Sequence, residues 1–187
     1  MQGAFIQPMS YSPPIILGRR LRPFSCWHGL VLDASASTYL LGGPRDVSDL
    51  LFGIWVCSHG FADGFDAASD IRAVNRWGRS QRKRWWRPAA DLGAAAVLFD
   101  EHIRLSLTAP DRWQDGAGTP LRAPLWWHLA LFARETLHCS ESEAWDFPLS
   151  RLICYRDCKA ESEGGKDLMT DDEAKGIRLL EKDAVSK

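Results

Sequence analysis

No stretch of this chain approaches the roughly 20 apolar residues that a helix needs to cross a membrane, since runs such as Leu50–Cys57 and Ala94–Phe99 are far shorter. The opening MQGAFIQPMSYSPP has neither a basic n-region nor an apolar h-region, so no secretory leader is expected and a cytoplasmic location is. Three catalytic signatures are missing as well. There is no G-x-S-x-G for a nucleophile elbow, no G-x-x-x-x-G-K-[ST] for a phosphate-cradling loop, and no H-E-x-x-H for a zinc-protease helix. Gly42-Gly43-Pro44 lacks the following lysine and hydroxyl that a phosphate loop requires. Nor does one sign of charge dominate: Lys and Arg number 23 against 24 Asp and Glu, a formal net charge of -1 at pH 7. That balance excludes a polybasic nucleic-acid coat and leaves any anion binding to a local patch.

Cysteines number 5, an odd count, which fits reduced thiols better than a disulfide framework. Cys26-Trp27-His28, Cys57-Ser58-His59 and His138-Cys139 carry the right ligand types for zinc but not the spacing of the common structural sites. Residues two apart on a helix diverge. Cys154 and Cys158 share a helix face, yet two ligands do not close a tetrahedral site. The cysteines therefore read as small buried hydrophobes, and neither metal nor cofactor is expected. Asp100-Glu101-His102 occupies three successive helical positions that point apart, so it reads as solvent-exposed helix surface. No catalytic residue is assigned, and the chain is not expected to be an enzyme.

What is present is an ordinary globular composition of 45% hydrophobic and 25% charged residues over 187 positions. That length suits one domain that folds without metal or disulfide staples. Tryptophan, at 9 residues, is abundant and suits packed cores and binding surfaces. Residues 1–24, with Pro8, Pro13, Pro14 and Pro23, read as an extended arm that ends in the basic cluster Arg19, Arg20, Arg22. Residues 25–158 read as one helical domain, and 159–187 as a charged, weakly docked tail with a short terminal helix at Ile177–Leu180.

The fold class is mainly α, a single small domain of about six helices by apolar periodicity. Ser25 caps a first helix carrying Leu30, Val31 and Ala34, and Gly42-Gly43-Pro44 breaks the chain after it. Asp46 caps the clearest one, whose apolar face is Val47, Leu50, Leu51, Ile54 and Trp55, and Gly60 to Gly64 is expected to end it. Ala67, Ile71 and Val74 support another through about Trp77. Leu92, Ala96, Phe99, Ile103 and Leu107 mark a longer one opening near Pro88. After a long loop over 108–121, Pro124 opens a helix with Leu125, Trp126, Leu129, Phe132 and Ala133 on its packed face. Ser140-Glu141-Ser142-Glu143 and Thr170-Asp171-Asp172-Glu173 are capping boxes, and Pro148 starts a helix with Leu149, Leu152 and Ile153. Only Ile15–Leu17 and Leu105–Thr108 suggest short extended pieces.

The strongest local charge signal runs from Arg76 to Arg87, with Arg79, Arg82, Lys83, Arg84, Trp85, Trp86 and Arg87 as candidate partner-binding residues. Arginines interleaved with tryptophans can neutralise phosphates while the rings stack on bases. The same pattern suits an acidic protein partner or an anionic membrane surface, or a solvated helix end with Trp85 and Trp86 packed inward. The slightly acidic whole counts against nucleic acid as the main partner.

Two groups of residues resemble a known family. The first is Ile16-Leu17-Gly18-Arg19-Arg20-Leu21-Arg22-Pro23-Phe24-Ser25 with the helix through Leu32, followed by Asp49–Ser58. The second is Glu143-Ala144-Trp145-Asp146-Phe147-Pro148-Leu149, followed by a helix with Tyr155 and a charged, glycine-containing tail. Together these resemble the bacteriophage tail assembly chaperones and related small helical tail-module proteins, over about half of the chain. The resemblance implies a non-enzymatic phage or prophage factor in the host cytoplasm. It would bind the tape measure protein or a tail-tube component during morphogenesis, with no catalytic residues and no cofactor. Self-association is compatible with that role, and a nucleic-acid-associated helical protein acting through 76–87 is the alternative.

Overall fold

The structure, a computed structural model, describes residues 3–82, 91–109 and 123–164, with Leu168, Met169, Glu173 and Ile177. Within them the chain is mainly helical. The order is α1 (Gly3–Ser10), β1 (Ile15–Ile16), β2 (Arg19–Arg20), α2 (Cys26–Ala34), α3 (Thr38–Leu41), α4 (Val47–Val56), α5 (Phe61–Ser69), α6 (Ile71–Arg82), α7 (Leu92–Ser106), α8 (Leu125–Thr136), α9 (Glu141–Asp146) and α10 (Leu149–Ser162). These 10 helices correct the expected six. α3 has only 4 residues, too few to establish a period, and α5 and α6 are separated by Asp70 alone.

The expected extended arm is also corrected, because α1 forms despite Pro8 within it. Its terminal carbonyls find a partner from afar: the Arg151 guanidinium donates to Pro8 O at 3.2 Å and to Met9 O at 3.4 Å. Such capture satisfies groups that a helix end leaves unpaired. Beyond Pro13 and Pro14, β1 and β2 pair antiparallel, Ile15 with Arg20 and Ile16 with Arg19. The connecting residues Leu17 and Gly18 have φ of 50° and 76°, the signs a two-residue type I′ hairpin turn demands. Leu105, considered above for an extended piece, lies inside α7.

Local signals set most helix starts. Asp46 accepts from the amides of Ser48 and Asp49, Asp91 from those of Gly93 and Ala94, and Ser140 and Glu143 close a reciprocal capping box. α7 therefore begins at Leu92, not near Pro88, which lies outside the described residues along with the 110–122 stretch. Gly60 and Gly64 do not simply end α4. Gly60 is the N-cap of α5, and Gly64 sits within that helix against the Trp27 ring, where an added Cβ would lie 2.3 Å from Trp27 Cζ2. α10 runs unbroken past Cys158 to Ser162.

α2 packs on α8 and α9, α4 on α5, α6 and α7, and α10 on α1, α7 and α8. Their shared core holds Phe24, Trp27, Leu32, Leu50, Ile54, Phe99, Leu129, Leu149 and Leu152. Of the residues expected on the α2 face, Leu30 and Val31 are half-buried and Ala34 is exposed. The buried side instead carries Cys26, Trp27, His28, Gly29 and Leu32. Two distant stretches are stitched by a bridge between Ser25 and Pro148 and by the Leu149 amide, which donates to Phe24 O at 2.8 Å. Beside it, the Arg22 amide donates to Cys57 O at 2.8 Å, and Arg22 lies 3.6 Å from the Asp146 carboxylate.

Candidate partner-binding face

The hairpin places Arg19 over α4 and α6. Its guanidinium carbon lies 3.8 Å from the centroid of the Trp55 ring and 5.0 Å from that of Trp77. Its Nη1 donates to Ser58 Oγ at 2.8 Å, and that hydroxyl donates to Trp55 O at 2.7 Å. Trp55 is itself fixed, with Nε1 donating to Ala67 O at 3.0 Å. Each cation–ring contact contributes about 0.5–2 kcal/mol depending on desolvation. Burial pushes the Arg19 pKa down, since removing water disfavours the charged form. Its Nε is buried without an acceptor.

Arg45 gives the contrast. It also sits over a ring, 4.5 Å from the Tyr39 centroid, but it is paired with Asp100 at 2.5 Å. Arg22, Arg104 and Arg156 likewise have carboxylate partners. Among the described residues Arg19, Arg20, Arg72, Arg76 and Arg79 have none, and neither do Arg134 on α8 and Arg151 on α10. Gly18, Arg19, Arg20, Ser58 and Trp77 line an open depression of about 450 Å³. A separate cleft of about 210 Å³ between α4 and α6 is formed by Ser48, Leu51, Val74, Asn75, Gly78 and Arg79.

Of the residues expected to bind a partner, Arg79 is exposed on α6, its Nε donating to Asn75 O at 3.3 Å. Arg82 closes α6, and its side chain lies outside the described residues, as do Lys83, Arg84, Trp85, Trp86 and Arg87. The sequence reading missed the joining of Arg19 with Trp55, Ser58 and Trp77. The only linear signal was the basic cluster after the Ile15–Leu17 piece, because the rings arrive from helices far along the chain.

A second exposed feature lies on α5, α8 and α9. Trp127 meets Trp145 edge-on at 4.8 Å, Trp145 stacks on Phe61 at 5.8 Å, and Phe61 meets Phe65 at 5.8 Å. Trp145 is buried, yet the ends of this row stay open: Trp127 is 53% exposed and Phe65 54%. Leu131, one turn after Trp127, is 50% exposed.

Of the cysteine and histidine pairs, Cys26, His28 and Cys57 are packed in the interior, whereas His59 and Cys139 are half-buried and His138 is exposed. Cys26, Cys57 and Cys154 are buried, and burial pushes the Cys26 thiol up to about 12 and the Cys57 thiol higher still. Cys154 and Cys158 differ in setting, since Cys158 is exposed. His28 donates from Nε2 to His59 O at 2.8 Å and accepts at Nδ1 from the Ser25 amide at 3.0 Å. His102 corrects the reading of Asp100-Glu101-His102 as solvent-exposed: Asp100 and Glu101 are, but His102 is fully buried. Tyr11 Oη is 2.7 Å from its Nδ1, and its Nε2 is buried without a partner. Among the described residues no three His, Cys, Asp or Glu side chains are grouped to hold a metal, and no helix is long and apolar enough to cross a membrane.

No family model, no curated protein and no solved structure matches this chain.

Proposed function

We propose that this chain is a non-enzymatic protein-binding factor of phage or prophage tail assembly, whose arginine-bearing face on β2 and α6 receives an acidic surface of a tail component such as the tape measure protein. One observation carries the binding part of this reading: Arg19, Arg20, Arg72, Arg76 and Arg79, all on β2 and α6, have no carboxylate partner among the described residues, whereas Arg22, Arg45, Arg104 and Arg156 each have one. An unneutralised basic face steers and orients an acidic partner. The exposed rings at the two ends of the aromatic row, Trp127 and Phe65, add the aromatic surface in which protein interfaces are enriched.

The tail setting rests on the resemblance of Ile16–Ser25, Asp49–Ser58 and Glu143–Leu149. Those stretches are neighbours in the fold, through the Leu149–Phe24 and Arg22–Cys57 hydrogen bonds. A nucleic-acid role for the described part of this face has less support, because Trp55 and Trp77 already lie against Arg19 and are not free to stack on bases.

The test is co-expression with the tape measure protein encoded in the same gene cluster, followed by capture. Wild type is expected to retain it, and an Arg76→Glu, Arg79→Glu double variant to lose it with the melting temperature unchanged. No capture by wild type, together with tight single-stranded oligonucleotide binding at physiological salt that the double variant loses, overturns the reading.

A further inference from the structure

The Arg19 guanidinium is held on three sides, by Trp55, Trp77 and Ser58 Oγ, so most of its rotamer freedom is already lost before any ligand arrives. A guanidinium carries five donor hydrogens. Among the described residues the Arg19 guanidinium makes one hydrogen bond, to Ser58, and has no carboxylate within reach. A partly buried cation without a counter-charge is unfavourable, and a carboxylate brought to it relieves that penalty.

The way in is open. A Cβ added at Gly18 would meet nothing within 4 Å, and Arg20 and Trp77 complete the rim. We infer that the depression beside Arg19 is a carboxylate subsite, in which one aspartate or glutamate side chain of an acidic partner segment takes the open Nη2 end of the guanidinium, with Ser58 and the two rings holding it in place. This inference rests on the protein-binding reading above and names the anchor within it. A phosphate of a nucleic acid would find the charge but no free ring, since Trp55 is almost wholly buried and Trp77 lies against Arg19 at 5.0 Å and Trp55 at 5.8 Å. The lowered pKa of Arg19 fits the same desolvation.

The test uses the full chain labelled with ¹⁵N and follows the Arg19 Nε–H resonance, assigned by its disappearance in Arg19→Lys; burial of this group slows its exchange with water. Titration with an oligoglutamate peptide is expected to move that signal saturably. Arg19→Lys keeps the charge but loses the planar fork, and is expected to weaken peptide binding about tenfold, while Arg79→Lys changes it by about twofold or less. Should Arg19→Lys lose its helical circular dichroism, Ser58→Ala leaves the ring stack in place and is expected to weaken the peptide severalfold by releasing Nη1.

An unmoved Nε–H signal, equal losses in Arg19→Lys and Arg79→Lys, or tighter binding of oligothymidylate than of oligoglutamate overturns the subsite. The two readings fail separately. Tape measure capture that Arg19→Lys leaves intact removes the subsite alone, whereas peptide binding at Arg19 with no tail component captured removes the tail assignment alone.

Discussion

His28 donates its Nε2 proton to the carbonyl of His59 at 2.8 Å, with its Nδ1 receiving the Ser25 amide proton at 3.0 Å. Both bonds require the neutral ring, because a protonated Nδ1 would face another donor. Burial holds His28 down at about 4 and His102 at about 3, against 6.5 in the unfolded chain. As pH falls below about 6.5 the unfolded chain takes up protons that the native rings refuse, so the stability contributed by the neutral rings is complete above that value. It declines as pH drops toward about 4 and then 3, where the native rings also protonate. The expected total loss is on the order of several kcal/mol. Urea denaturation across this range measures it, and a midpoint constant from neutrality down to about pH 5 contradicts the assignment.

Gly64→Ala sets helix propensity against packing. Alanine is favoured over glycine inside a helix by about 1 kcal/mol, but its Cβ would fall 2.3 Å from a fully buried Trp27 ring. Overpacking of this kind costs about 1–3 kcal/mol or more, so a net loss of stability is expected by chemical denaturation. A variant more stable than wild type would show that Trp27 can move aside.

Leu51→Asp and Val47→Asp, one turn apart on α4, separate the buried face from its entrance. Leu51 is 4% exposed and Val47 38%. An unpaired carboxylate at Leu51 is expected to lower stability by several kcal/mol. At Val47, the first residue of the helix, the same charge is favoured by the helix dipole and should shift stability by no more than about 0.5 kcal/mol. Thermal melts that rank the two variants the other way would reassign the face.

The starts of α4, α8 and α9 were legible because each is written within a few residues. Asp46 bonds the amides two and three positions on, Pro124 precedes α8, and Ser140 exchanges bonds with Glu143. The apolar period correctly placed Leu50, Leu51, Ile54 and Trp55 in the interior but overreached at Val47, since period alone does not say how far a neighbour extends along a helix. Asp100-Glu101-His102 misled in the other direction. Its first two residues do face water, while His102 turns onto Phe24 and Phe99 and meets Tyr11 from α1's side of the fold.

Residue order alone thus settled the mainly helical class, several helix caps and the buried stripes of α4 and α10, because hydrogen bonds between residues three or four apart and a 3.6-residue period are local quantities. The environment of Arg19 was not local. Arginine on a hairpin becomes a desolvated, ring-clamped cation only once Ser58 and Trp55 from the α4 region and Trp77 from α6 are packed around it. The same holds for Gly64, whose missing side chain matters because Trp27 arrives from α2. In each case the deciding term is a contact between segments far apart in the chain, whose closeness follows from burying the common core.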